Sequence, residues 1–175
     1  MASNVLISEK MNAALNQQIA NELNASMQYM AIAAYFDPED LLELAQHFYR
    51  QSEEGRTHAM RFLKFIADAS GQAEIATIPQ PQNRFSSAEE AIGKALEGEI
   101  TVTEQINALV DLAMQEKDHI THNFLQWFVT EQLEEVSSMS TLLKIVQRAG
   151  EGDLLTVEEY LVRHGRLTAA DSDAT

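Results

Sequence analysis

Four stretches of this sequence carry apolar side chains three or four residues apart, and near its middle each seam is broken by groups that can bind a metal. The first runs Leu15, Ile19, Glu22, Ser26, Tyr29, Ala33, Phe36, and the second Leu44, Phe48, Gln51, Gly55, His58, Phe62, Phe65. The third is Ile92, Ala95, Glu99, Val102, Ile106, Leu109, Ala113, and the fourth Phe128, Gln132, Glu135, Met139, Leu142, Val146. Such steps place each set along one face of a helix. Four such stripes have to be buried against one another, which predicts an all-α four-helix bundle. A carboxylate in that core costs several kcal/mol unless something positive compensates it. Three seams hold a glutamate and the other a histidine, so a shared cation accounts for all four.

Thiolate cannot hold that cation, because the chain has no cysteine. Disulfides, thiolate zinc sites and cysteine-ligated iron–sulfur clusters are excluded, and carboxylate with imidazole favours a hard or borderline metal. Acidic residues outnumber basic ones 27 to 12, a formal charge of -15. This balance repels nucleic acid and anionic membranes and attracts cations, so neither nucleic acid nor membrane is expected as a partner. The 175 residues, 45% of them hydrophobic, suffice for one packed domain of common size. That domain is assigned to residues 1–167, with a disordered tail over 168–175 (TAADSDAT in full from Thr168). The N-terminus has no basic segment followed by an apolar stretch, and nowhere do roughly 18 apolar residues run together. A soluble, cytoplasmic protein is expected.

Helix breakers set the organisation. A first helix is predicted from near Ser8 to Asp37-Pro38, and a second from about Glu39 to Ala69, stopped at Ser70-Gly71. A third opens at Ser86 or Ser87 and continues to about Gln115, and a fourth runs from after Lys117-Asp118 to Ala149. A short fifth helix is expected near Val157 to His164. The first two helices, and likewise the third and fourth, are joined by a few residues and must form antiparallel hairpins. Between the hairpins, Ser70 to Phe85 has Gly71, Pro79 and Pro81 and no helical period. A helix of about 28 residues is roughly 42 Å long, and about 16 extended residues reach roughly 53 Å. This segment can therefore cross the whole length of the bundle.

Dinuclear iron chemistry in such a bundle needs two cations held close together by carboxylates, with imidazole on at least one and positions left open for dioxygen. Glu22, His58, Glu99 and Glu135 supply those groups from all four helices, with Gln132 one turn before Glu135. Tyr29, two turns beyond Glu22, is placed to give a hydrogen bond or an electron to the site. His119, His122 and His164 fit surface or channel positions better than catalysis, and His47 and Tyr49 fit solvent or interface positions. The methionines are read as filler, and the glycines form no phosphate-binding pattern.

The blocks around these residues carry a resemblance. NELNASMQY (21–29), SEEGRTHA (52–59), GEIT (98–101) and NFLQWFVTEQLEE (123–135) look like the four blocks of ferritins, most of all the non-haem bacterial type. The likeness covers roughly residues 5–165. Bacterioferritins have Glu-x-x-His where this chain has Gln132-x-x-Glu135, and Arg56 stands where their haem methionine would fall, so no haem is expected. The resemblance implies a ferritin-like bundle with one long crossover and a short C-terminal helix. It implies a homo-oligomeric octahedral shell of 24 subunits that takes in Fe(II), oxidises it with dioxygen or hydrogen peroxide at a di-iron ferroxidase centre, and stores it as Fe(III) oxyhydroxide. Glu22 and His58 would bind the first iron, Glu99 and Glu135 the second, with Gln132 and Tyr29 completing the site. Glu54, Glu131 and Glu134 match a third iron site, in which the usual histidine is Gln51.

One position departs from the pattern. Ferritins have a glutamate that bridges the irons three residues before the histidine, and here that residue is Gly55. Glycine inside a helix costs about 1 kcal/mol relative to alanine, so helix formation does not explain it. Three accounts are open: Glu54 rotates in, water or peroxide takes the bridge, or the centre is weakened and oxidation is slow. Two alternative functions are a storage shell subunit whose centre is weakened or inactive because Gly55 replaces the bridging glutamate, and a rubrerythrin-like di-iron oxidoreductase.

Overall fold

The computed structural model describes residues 5–165, and the expected tail at 168–175 lies outside them. Helix α1 spans Glu9–Phe36. Ser8 caps it, its hydroxyl accepting from Met11 N. A 3-10 turn, Asp37–Glu39, and Asp40 in the left-handed region (φ 59) separate it from α2, Leu42–Asp68. The second helix therefore starts three residues later than the Glu39 expected from sequence, because Pro38 and Asp40 both belong to the turn.

Nothing local caps α2. Glu158 does so from far along the chain, its two carboxylate oxygens accepting from Glu43 N at 2.9 Å and Leu44 N at 2.8 Å. Negative charge at a helix N-terminus is favourable both as a hydrogen-bond acceptor and toward the helix dipole. At the other end the left-handed residue is Ser70 (φ 57), not Gly71. Gly71 serves close approach instead, since a Cβ there would collide with the Asn12 side chain.

Helix α3, Ala88–Glu116, is capped by Ser87, and α4, His119–Ala149, by Asp118, each side chain accepting the backbone N–H three residues on. After Gly150 a 3-10 turn, Glu151–Asp153, leads into α5, Leu154–His164. Side-chain pairs fix the directions. Ser8–Glu116, Gln18–Gln105 and Tyr29–Glu99 run α1 against α3, and Glu99–Gln132 with Glu89–Gln147 run α3 against α4. The ring contacts His58–Phe128 and Phe65–Phe124 run α2 against α4. The chain is an all-α four-helix bundle of two hairpins, with a crossover along its length and a short fifth helix, as expected.

The crossover is extended but held. Asn12 and Asn16 on α1 each donate to Gln72 O, and accept from Gln72 N and Glu74 N respectively. Further on, Gln28 repeats the pattern on Gln82, donating to its O and accepting from its N. Side-chain amides thus satisfy backbone groups of a segment that has no ladder partner.

The apolar core is in two parts. One gathers Ile32, Phe36, Leu44, Phe48, Ile92, Leu142 and Val146, with Val157 and Leu161 of α5. The other gathers Met11, Leu15, Ile19, Phe62, Ile66, Ile106, Leu125 and Phe128. Buried polar residues lie between them along the sequence of every helix: Glu22 and Ser26, Ser52 and His58, Glu99, and Gln132. On α2 the face is turned slightly from the expected seam, so Ile66 is fully buried while Phe65 is half-buried and stacks on Phe124 at 4.0 Å.

His47, expected at solvent or an interface, is half-buried. Its Nε2 is buried with no hydrogen-bond partner among the described residues. Burial, reinforced by the Arg50 charge, lowers its pKa from the ordinary 6.5 to about 4. A base depressed in the fold binds its proton first in the unfolded chain, so its contribution is complete above about pH 6.5 and is lost toward pH 4. Replacing His47 by leucine is expected to remove that loss. Urea unfolding at pH 7 and pH 5 should show the variant gaining on the parent at the lower pH.

Candidate metal centre

At the waist between the two cores, one partly open space is lined by Glu22, Tyr29, Gln51, Glu54, Gly55, His58, Glu99, Gln132 and Glu135, with Ala25 and Val102. It has room for about one water-sized group. The lining holds four glutamates and a histidine but no lysine or arginine.

Two pairs of groups form opposite halves. In the first, Glu22 Oε1 accepts from Gln18 Nε2 at 2.9 Å, and Glu22 Oε2 lies 3.6 Å from His58 Nδ1. Gln18 is itself buried, accepts from Asn21 Nδ2 at 3.0 Å and reaches Gln105 of α3. Burial alone would lower the His58 pKa, but the carboxylates of Glu22, Glu131 and Glu54 together outweigh it and raise the imidazole above its ordinary value. The ring is edge-on to Trp127 at 5.4 Å and Phe128 at 5.8 Å, and the Arg61 guanidinium sits 3.7 Å over the Trp127 ring.

In the second half, Glu99 Oε1 accepts from the Tyr29 hydroxyl, and Glu99 Oε2 from Gln132 Nε2 at 2.9 Å. Gln132 also reaches Thr103 Oγ1 at 3.2 Å. Burial and the Glu99 charge push the Tyr29 phenol well above its usual range, so it stays a proton donor. Burial likewise raises Glu99, with Tyr29 and Gln132 pulling the other way. Glu135, half-buried, is raised to about 9 by burial and by the charges of Glu99, Glu54, Glu131 and Glu134. In the metal-free protein its carboxyl is therefore protonated at neutral pH.

Of the nine residues singled out from the sequence, seven line this space. Glu22, Tyr29, Glu54, His58, Glu99, Gln132 and Glu135 line the space, whereas Glu131 and Glu134 lie outside the lining, half-buried and exposed. Among the described residues no three of His, Asp or Glu stand together as a ready ligand set. Gln18, Gln105 and Thr103 were missed. Gln18 had a signal, since it sits four residues before Glu22 on the same face, but the other two depend on how the helices register.

Gly55 sits where α1 and α2 close on each other. A Cβ added there would lie 3.2 Å from Ser26 Cβ and 3.3 Å from Ser26 Cα and N. Beside it, Ser26 Oγ donates to Ser52 O at 2.6 Å, so the contact is backbone-close and hydrogen-bonded. Any side chain at 55 requires the helices to part by a few tenths of an ångström.

The family model for the ferritin-like domain matches residues 12–149. The chain belongs to the ferritin family. Ferritin BfrB of Mycolicibacterium smegmatis is 41% identical over 175 residues, all of this chain and 95% of that protein. The bacterial non-heme ferritin of Staphylococcus aureus is 36% identical over 146 residues, 83% of this chain and 88% of that one. Among solved structures, an open pore ferritin from the hyperthermophilic archaeon Archaeoglobus fulgidus superposes with a TM-score of 0.86 at 36% identity, covering 90% of this chain and 97% of that one. As a bacterial-type ferritin the chain is an iron-storage protein. No helix among its described residues is long and apolar enough to cross a membrane.

Proposed function

We propose that this ferritin is a cytoplasmic ferroxidase subunit that oxidises Fe(II) at its waist and stores it as ferric oxyhydroxide inside an octahedral shell of 24 copies. The observation that carries the reading is the lining itself, four glutamates and a single histidine around one small space with no lysine or arginine among them. Cations are the compensation such a set calls for, and oxygen donors with one imidazole suit Fe(II). Haem has no part in this reading.

Glu22 and His58 would hold one Fe(II), and Glu99 and Glu135 the other, with Gln132 fixing Glu99. Glu131 and Glu134, with Glu54, would receive a third ion at the mouth. Two Fe(II) give one electron each to dioxygen, which leaves with two protons as hydrogen peroxide; with hydrogen peroxide as oxidant the products are two waters. Glu135 must lose its proton to solvent as the cation takes its place, so binding acidifies the solution below about pH 9. Tyr29, kept protonated beside Glu99, is the side chain placed to supply an electron when only one ion is present.

Stopped-flow oxidation at two Fe(II) per subunit tests the enzyme, and light scattering tests the shell. A fast phase from a 24-subunit particle is expected. A full-sized shell without that phase would favour the storage subunit with a disabled centre, and a small oligomer would favour the rubrerythrin-like reading. Gln18→Leu is expected to weaken binding at Glu22 and His58 by about 10–100-fold, because it removes the donor that orients Glu22; Zn(II) calorimetry measures it.

A further inference from the structure

On α2 the side chains lining the waist are Gln51, Glu54 and His58. They are three and four residues apart and therefore share one stripe of the helix. Gly55 also lines the waist but faces Ser26, where α1 has already closed to Cβ-contact distance, so a side chain there would have to part the helices. The carboxylate that α2 does offer the waist is Glu54, one turn before the histidine.

The glutamates of the waist are held unequally. Glu22 is fixed between Gln18 and His58, and Glu99 between Tyr29 and Gln132. Glu54, exposed at the mouth, makes one hydrogen bond among the described residues, accepting from Gln51 Nε2 at 2.6 Å on the same stripe. It shares the lining with Glu22 and His58 of one half and with Glu99 and Glu135 of the other, and a single neutral contact is all it must break to turn inward.

We infer that Glu54 replaces the side chain absent at 55: when two divalent ions enter, its carboxylate leaves Gln51 and joins the Glu22–His58 half to the Glu99–Glu135 half. This rests on the metal centre proposed above. Gln51 is the latch that holds Glu54 at the mouth until the ions arrive. A consequence is that Glu54 is withdrawn from the third site, which Glu131 and Glu134 then hold alone.

Co(II) titration of the assembled protein, followed by visible absorption and equilibrium dialysis, separates the possibilities. Ions at the waist are those lost in His58→Ala. Glu54→Gln is expected to lower affinity for the waist pair at least tenfold, well beyond the effect of Glu131→Gln, which loses the outer ion, and Gln51→Leu keeps or tightens the pair. Glu54→Gln and Glu131→Gln losing the same outer ion, with the waist pair intact in both, would overturn the inference and leave the metal centre standing. Should His58→Ala lose no Co(II) at all, the centre and the inference fall together.

Discussion

Replacing Glu22 by glutamine is expected to slow Fe(II) oxidation at least a hundredfold while leaving the fold intact. The amide keeps the shape: its oxygen still accepts from Gln18 Nε2, as Glu22 Oε1 does at 2.9 Å, and its NH2 group can face His58. What is lost is one negative charge and one anionic donor oxygen in a space that holds four glutamates. Changing even an outer partner of a metal ligand costs about 10–100-fold, so loss of a ligand should exceed that range. The metal-free variant should not melt earlier, since the Glu22 charge is one of the causes that raise Glu99. Stopped-flow rates measured beside thermal melts decide the matter. A variant that melts normally yet oxidises at the parent rate would remove Glu22 from the centre.

The largest stability effect belongs to Phe62→Ala. Phe62 is fully buried, stacks on Phe128 with centroids 4.3 Å apart, and meets Phe124 edge-on at 5.4 Å. Truncation loses its transfer free energy, its ring contacts and the packing around the gap, about 4 kcal/mol in all. For a chain of this size that lowers the melting temperature by roughly 10 °C. The loss should also reach the waist, because Phe128 forms part of the wall beside His58. Calorimetry of the metal-free protein checks the first effect, and weaker Zn(II) binding the second. A fall below about 1 kcal/mol would mean that Phe124 and Phe128 collapse into the space.

Periodicity carried the sequence reading a long way, because helical bundles bury what recurs every three or four residues. Leu15, Phe48, Ile92 and Leu142 lie in the core as their spacing required, and Ser87 and Gly150 mark helix ends as their chemistry required. The misses have tertiary causes. Whether Phe65 or Ile66 turns inward depends on where Phe124 stands, and the α2 N-terminus is completed by Glu158, 114 residues beyond Leu44. At the waist the candidate ligands could be read one by one, because each breaks an apolar seam. The outer bonds that hold them in place could not, since Gln18 to Gln105 and Gln132 to Thr103 cross between helices. The close contact at Gly55 was equally hidden, because a missing glutamate shows in the sequence and the distance to Ser26 does not.

The division of the apolar interior into two lobes makes the subunit a modular object to an engineer. Phe48 and Phe62 belong to different lobes and do not touch, and substitutions that share no partner add nearly independently. Either end can therefore be redesigned for heat tolerance or cargo without re-optimising the other, so long as the hydrophilic girdle between them keeps its shape.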